Sequence, residues 1–327
     1  MTDPSAPRHV CITGALGFIG GRLGERYRAA GARVTGVDLR DDPALAVAGG
    51  DLTAPGDWRR AFEGADLVIH TAARVGMSGD EAAYWRANCL ATRHVLDAAA
   101  AAGVRRLVHL SSIVAFGFDY PDGVDERHPL RPNGVPYVDT KVASEQAVLQ
   151  AHAAGEIACA IVRPGDVYGP GSHFWTTSPL RSIAAGRLVL PAMGEGQLSP
   201  VFVDDLVDGI MRAGAAPEAA GQVFTVTGGE TVTASVFFGH YARMLGKASV
   251  PAAPTPLVLA LAATVGRMIG DGDVTPAAVR YIARRGGYSI AKARARLGYR
   301  PAVDLAEGMR RIEEWARATG LVPATAS

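Results

Sequence analysis

His9-Val-Cys-Ile-Thr-Gly14-Ala-Leu-Gly17-Phe-Ile-Gly20 is the stretch whose reading decides the fold. Residues 9–13 have the β-rich, apolar character of a buried strand, and residues 20–30 carry a helical pattern, so three glycines fall at a strand-to-helix turn. Glycine at 14 allows the tight turn, and glycine at 17 lets backbone approach a pyrophosphate. The helix N-terminus that follows offers unpaired N–H groups and a positive dipole end to phosphate. With 39 glycines in the chain, the triplet takes its weight from the strand before it and the helix after it.

Outward from this turn the chain alternates strands over 33–38, 67–71, 106–111 and 158–163 with helices near 58–62, 82–102 and 136–154. Gly31, Gly103 and Gly155 stand where C-terminal cap glycines belong. The order is that of a doubly wound parallel sheet, an α/β class. After Arg163 come Pro164, Gly165, Gly169, Pro170 and Gly171, which read as the chain leaving the sheet. A helix over 204–213 and a strand over 222–227 are expected to return to it. The expected organisation is a dinucleotide-binding domain over residues 1–170, rejoined by 203–228, with a smaller, partly interleaved substrate region over 171–327. A final amphipathic helix is expected over 305–319.

The 327 residues suffice for a large core without disulfide staples. A formal charge of +1 gives no electrostatic argument for nucleic acid or an anionic membrane as partner, and 48% hydrophobic with 20% charged residues fits a soluble globular chain. Cys11, Cys89 and Cys159 make neither a zinc pattern nor a disulfide framework and read as reduced, buried small hydrophobes; no metal site is expected. Residues 1–8 are polar and lack the apolar core of a secretory leader, so a cytoplasmic location is expected. The longest apolar run, 257–265, falls short of the ~20 residues that span a bilayer.

Asp38 ends the second strand 18 residues after Gly20, where a carboxylate accepts hydrogen bonds from the adenosine ribose and repels a 2′-phosphate. NAD is therefore expected over NADP, with Arg40 partly offsetting the repulsion. Asp51 and Leu52 follow the next turn, within reach of the adenine edge; a helix cap is the other reading of Asp51. Pro136-Tyr137-Val-Asp-Thr-Lys141 opens a helix, with Pro136 suited to its first position, and Tyr137 and Lys141 share a face at i and i+4. A phenol with a pKa of ~10 is a poor base near neutrality, but an adjacent ammonium and a bound nicotinamide cation both favour phenolate. Ser111 and Ser112 end the preceding strand, and either hydroxyl could meet a substrate oxygen.

Together these residues resemble the extended short-chain dehydrogenase/reductases, also called the NAD-dependent epimerase/dehydratase superfamily, whose sheet domain is of the Rossmann type. The resemblance runs over nearly the whole chain. Besides Thr13 to Gly20 it includes His70-Thr-Ala-Ala73, Asn88-Cys-Leu-Ala-Thr92, Ser111-Ser112 with Phe116-Gly117, Tyr137 with Lys141, and Arg163-Pro-Gly-Asp-Val-Tyr-Gly-Pro170. Val201-Phe-Val-Asp-Asp205 and Lys292-Ala-Arg-Ala-Arg-Leu-Gly-Tyr-Arg-Pro301 follow. It implies Tyr137 as proton donor or acceptor, Lys141 on the nicotinamide ribose, and Ser112 orienting the substrate oxygen with Ser111 as neighbour. It further implies a cofactor lining of Gly14, Leu16, Gly17, Phe18, Ile19, Gly20, Asp38, Asp51, Leu52, Thr71, Ala72, Ala73, Asn88, Tyr137, Lys141, Pro164 and Val167. Phe116 departs from the usual tyrosine.

Two subgroups of this family predict different substrates. Nucleotide-sugar epimerases and dehydratases commonly carry an arginine a few residues before Val-Asp-Asp to hold a diphosphate; here the stretch reads Gly196-Gln-Leu-Ser-Pro200, with Arg181 or Arg187 as possible substitutes. The second half is more similar to the 3β-hydroxysteroid dehydrogenase-like subgroup. Its segments Phe174-Trp175, 188–191, 251–256 and 257–265 are apolar, as a pocket for a steroid, terpenoid or aromatic secondary alcohol or its ketone requires; 257–265 reads equally as a core helix, and Trp175 as core. A nicotinamide-sensing regulator on the same fold is a third reading, which the intact Tyr137, Lys141 and Ser112 disfavour. The resemblance also implies a homodimer joined through the helices near 82–102 and 136–154.

Overall fold

A computed structural model describes residues 7–269 and 275–323. In chain order the first half contains β1 (His9–Thr13), α1 (Phe18–Ala29), β2 (Arg33–Asp38), β3 (Val47–Gly49), β4 (Leu67–His70), α2 (Glu81–Trp85), a π-helical turn (Arg86–Leu90), α3 (Ala91–Ala101), β5 (Arg106–Leu110), α4 (Pro136–Ala153) and β6 (Ala158–Pro164). The second half contains β7 (Asp166–Tyr168), α5 (Ser178–Ala184), β8 (Gln197–Leu198), β9 (Pro200–Phe202), α6 (Val203–Ala215), β10 (Gln222–Val226), β11 (Val232–Thr233), α7 (Ala234–Met244), α8 (Thr255–Ile269), α9 (Pro276–Ile282), α10 (Ala291–Leu297) and α11 (Leu305–Ala318).

The described residues build a seven-stranded sheet in the order β10-β6-β5-β4-β1-β2-β3, parallel at every pair. Both faces are covered, which is why β1 is buried along its whole length and its burial does not alternate. Val10 and Ile12 point into the cluster with Leu23 and Tyr27 of α1 and Leu206 and Ile210 of α6. Cys11 points the other way, among Val95 and Leu96 of α3 and Val148 of α4. Cys11 and Cys159 are buried, but Cys89 is half-buried, which corrects the expectation for that thiol; it sits at the edge of the π-helical turn, where its Sγ donates to the Thr140 carbonyl. β3 is a three-residue edge strand rich in small residues, too short to show periodicity.

The Val201 to Asp205 motif ties the C-terminal end to the sheet. Asp205 accepts from the Ala302 and Val303 amides at 2.9 and 3.1 Å, and Asp204 receives Arg22 of α1 at 2.6 Å. No helix among the described residues is long and apolar enough to cross a membrane.

The glycine turn is where strand and helix come closest. Gly14 has φ +70°, which only glycine adopts freely, and a Cβ on Gly20 would lie 2.0 Å from the Gly14 carbonyl oxygen. Gly20→Ala therefore forces α1 away from β1. The expected loss is about 1–3 kcal/mol, the range for overpacking, read as a lowered urea midpoint with weakened NADH binding; an unchanged midpoint would show that α1 is free to shift.

Candidate active site

The expected site residues gather at the carboxyl ends of the strands, beside the point where the sheet order reverses between β1 and β4. The Gly14 amide donates to Val37 at 2.8 Å and the Gly17 amide to Gly14 at 3.0 Å, which closes the turn. A Cβ on Gly14 would come within 2.9 Å of the Ala72 amide nitrogen, so the turn is pressed against the segment after β4. Thr71, Ala72 and Ala73 are half-buried there, and Thr71 Oγ1 donates to the Thr13 carbonyl at 2.7 Å. No side chain caps α1 and no acidic residue stands in its first turn, so the Phe18 and Ile19 N–H groups keep their capacity for an anion.

Asp38 lies at the same crevice: one carboxylate oxygen accepts from the Leu16 amide at 2.9 Å and the other from Leu39 at 2.8 Å. Asp51 is exposed and accepts from the Thr53 amide at 2.8 Å, while Leu52 is buried. Pro164 is buried at the end of β6 and Val167 is half-buried on β7. Asn88 differs from the rest, because its amide is committed inside the protein. Its Oδ1 accepts from the Arg74 amide at 2.7 Å, and its Nδ2 donates to the Arg74 carbonyl and Thr140 Oγ1, both at 3.0 Å. It braces the loop after β4 against α4.

The start of α4 is fixed by Pro136 at its first turn and by Asp139, whose carboxylate reaches back to the Asn133 and Gly134 amides. This sets Tyr137 and Lys141 on the buried face, 8% and 3% exposed. Lys141 Nζ donates to the Leu110 carbonyl at 2.7 Å and lies 6.0 Å from the centre of the Tyr137 ring. Ser111 and Ser112 separate by role. Ser111 Oγ donates to Glu145 at 2.5 Å, whereas Ser112 Oγ accepts from the Val114 amide at 3.2 Å and is the side chain that acts to lower the Tyr137 phenol.

The Lys141 ammonium and a bound nicotinamide cation are both expected to favour phenolate, and in the protein alone burial works against that. Burial pushes Tyr137 up to about 12, against the Ser112 hydrogen bond, which lowers it. Burial also brings Lys141 down to about 8, against the Glu145 carboxylate, which raises it. Desolvation is the largest effect on both groups, so the protein alone holds a neutral phenol.

Tyr137 stands in an apolar cluster with Tyr84, Val114, Val138 and Tyr281, edged by Met77, Phe118, Val135 and Trp175. Tyr281, on α9, spends its hydroxyl on Asp166 at 2.7 Å, and the buried Arg284 pairs with the same carboxylate while lying 3.9 Å over the Tyr281 ring. The expected apolar segments are partly consumed by packing. Leu190 is fully buried and pairs with Pro251 and Ala253, and α8 puts Val258 and Ala262 against Val279 of α9 while exposing Leu257 and Leu261. Leu198, where a diphosphate-holding arginine was sought, is fully buried in the core, and Arg181 and Arg187 are exposed. Glu145, Tyr84 and Tyr281 escaped the sequence reading. Only Glu145 had a signal, its place four residues after Lys141.

Residues 10–227 match the model of the NAD dependent epimerase/dehydratase family, and the chain belongs to that family. Among curated relatives it is 28% identical to a 2-alkyl-3-oxoalkanoate reductase of Stenotrophomonas maltophilia, covering 93% of this chain and 98% of the relative. It is 29% identical to a 3-beta-hydroxysteroid dehydrogenase of Mycolicibacterium neoaurum, over 94% and 92%. It is 25% identical to a UDP-glucose 4-epimerase of Vibrio cholerae, over 95% and 96%. A solved structure, MoeE5 in complex with UDP-glucose and NAD, shares the fold with a TM-score of 0.79 at 24% identity, over 95% of this chain and 99% of that one.

The chain is thus an extended short-chain dehydrogenase/reductase of the NAD dependent epimerase/dehydratase family, with NAD as cofactor, and hydroxysteroid dehydrogenases are among the proteins it is similar to. The site fits that cofactor: the small-residue turn leaves the α1 N-terminus open, and Asp38 stands at the crevice. Asp38→Ser is expected to weaken NADH binding roughly ten- to a hundredfold, since a hydrogen bond to a charged group is worth about 1.5–3 kcal/mol, and to narrow the gap to NADPH. Fluorescence titration with both coenzymes checks this; unchanged ratios would contradict it.

Proposed function

We propose that this enzyme interconverts a hydrophobic secondary alcohol of steroid, terpenoid or aromatic type and its ketone. The observation that carries the reading is the apolar cluster that the buried Tyr137 joins, with Tyr84, Val114, Val138 and Tyr281 as its buried members. Such a surface recognises a substrate by area removed from water, about 25 cal/mol per Å². A nucleotide diphosphate needs charge-assisted partners, and the buried cation on this side, Arg284, is already neutralised by Asp166. The names of two relatives, a hydroxysteroid dehydrogenase and an oxoalkanoate reductase, agree with a carbonyl/alcohol couple.

When bound, NAD supplies the acceptor and donor of hydride. Gly14, Gly17 and the α1 N-terminus would hold its diphosphate, Asp38 its adenosine ribose and Lys141 its nicotinamide ribose. Leu16, Phe18, Ile19, Asp51, Leu52, Thr71 to Ala73, Pro164 and Val167 complete the lining, with Asn88 acting through the loop it braces. Ser112 Oγ orients the substrate oxygen, and Tyr137 Oη takes the alcohol proton in oxidation and returns it in reduction. Because burial raises Tyr137, the phenolate depends on positive charge beside it, from Lys141 and the oxidised nicotinamide.

Residues 1–170 with 203–228 serve the cofactor in this reading, and the remainder serves the substrate. We also take the protein to be a cytoplasmic homodimer, supported by three free cysteines and by Trp85 and Leu90, 40% and 43% exposed on the helical segment expected at the interface. Light scattering is expected to give twice the chain mass; a monomer would remove the dimer.

Tyr137→Phe is expected to keep NADH binding and to lose about 10²- to 10⁴-fold in turnover. NADH formation is measured across steroid, terpene, aromatic and cyclic alcohols with UDP-sugars alongside. Turnover confined to the sugars would replace this reading with an epimerase or dehydratase, and undiminished turnover in Tyr137→Phe would reject the role of the phenol.

A further inference from the structure

Tyr137, Lys141 and Glu145 stand four residues apart on α4 and therefore share one face. Glu145 is fully buried, and its carboxylate is filled. Oε1 accepts from Ser111 Oγ at 2.5 Å and from Arg163 Nε at 2.9 Å, and Oε2 accepts from Arg163 Nη2 at 2.6 Å. Arg163 comes from β6 and is 3% exposed. Its guanidinium lies 4.7 Å over the Phe116 ring, and its Nη1 has no hydrogen-bond partner. This end of the site thus buries two cations against one carboxylate.

The other groups that face Lys141 do not supply a second anion. On α4 there is the neutral phenol of Tyr137. From the π-helical turn comes Cys89, which burial pushes up to about 11. From β4 and β5 come His70 and His109, with ring centres 5.3 Å apart. Burial, reinforced by the Lys141 charge, holds His70 down to about 3 and His109 well below its ordinary value. His70 is hydrogen-bonded to Thr13 and Thr92 and His109 to Ser144, so both stay neutral.

We propose that Glu145 is a positioning residue of the reaction centre: bonded to Arg163 and Ser111 one helical turn beyond Lys141, its carboxylate charge sets how firmly Lys141 keeps its proton, while its bond to Ser111 leaves Ser112 as the serine on the Tyr137 side. The proposal rests on the assignment of Lys141 and Tyr137 made above. Without the Glu145 charge, two buried cations stand unopposed and Lys141 gives up its proton more easily. Without the Arg163 charge, one buried cation fewer offsets the Glu145 carboxylate, and Lys141 holds its proton more firmly. A residue that merely packs would not produce opposite signs in the two variants.

The test is the pH dependence of NADH affinity in the full-length protein, read by fluorescence from about pH 6 to about pH 10, the range that brackets a depressed lysine. Affinity is expected to fall above a midpoint that belongs to Lys141. Glu145→Gln is expected to lower that midpoint and Arg163→Met to raise it, each by on the order of one unit, and Glu145→Asp, which keeps the charge, to restore it. Both variants moving the same way, or neither moving, overturns the proposal. If a single variant fails to fold because it leaves a buried charge unpaired, the Glu145→Gln/Arg163→Met double variant removes the pair as a neutral unit. Its midpoint should then lie between those predicted for the singles, and a midpoint outside that interval overturns the proposal. Lys141→Met should abolish the transition. Its persistence there would defeat the assignment of Lys141 itself, a failure distinct from a wrong role for Glu145.

Discussion

Removing an ionisable side chain from water is costly unless a partner is placed against it, and α4 does this at three successive turns. Tyr137, Lys141 and Glu145 are all buried, the ammonium is matched to the Leu110 carbonyl and the carboxylate to Ser111 and Arg163, and Ser112 acts to lower the phenol that burial raises. The partners come from the strand ends of β5 and β6 and from the turn after β5. The chemistry of the site therefore depends on α4 lying at one height against the sheet, and Asp139 and Asn88 hold it there through the loops on either side.

The same arrangement separates the two halves of the task. On the cofactor side the surface is backbone and small residues, from the Gly14 turn to Ala72, with Asp38 as its carboxylate. On the substrate side the polar groups turn away from the phenol: Tyr281 gives its hydroxyl to Asp166, and Arg284 is paired with the same carboxylate. Tyr137 itself packs with the rings of Tyr84 and Tyr281 and with Val114 and Val138. The α9 helix that carries Tyr281 is also the element against which α8 packs, through Val279.

Elements with strong local grammar were legible from the sequence. The glycine turn, the cap glycines, Pro136 at the start of α4 and the i, i+4 pair of Tyr137 and Lys141 are dictated by backbone geometry within a few residues. The Val-Asp-Asp segment was visible as a motif, but its work, holding the amides of residues 302 and 303, is spread over about a hundred positions and leaves no local trace. Tyr84 and Tyr281 were invisible for the same reason, since they reach Tyr137 from distant helices. The apolar runs at 188–191 and 251–256 were legible as hydrophobic but not as partners of each other. Periodicity also gave no warning of the π-helical turn at Arg86–Leu90, where Asn88 turns inward.

The account stands on the buried phenol of Tyr137 meeting the carbon that exchanges hydride. A crystal structure with bound NADH tests it most directly. The expected result is the nicotinamide ring beside Tyr137 and Ser112, Lys141 Nζ on the ribose hydroxyls, and room for a substrate carbon at the ~3–3.5 Å approach that reaction requires. A nicotinamide ring seated away from Tyr137, with Tyr84 and Tyr281 still closed around the phenol and another side chain at the reactive carbon, would contradict it.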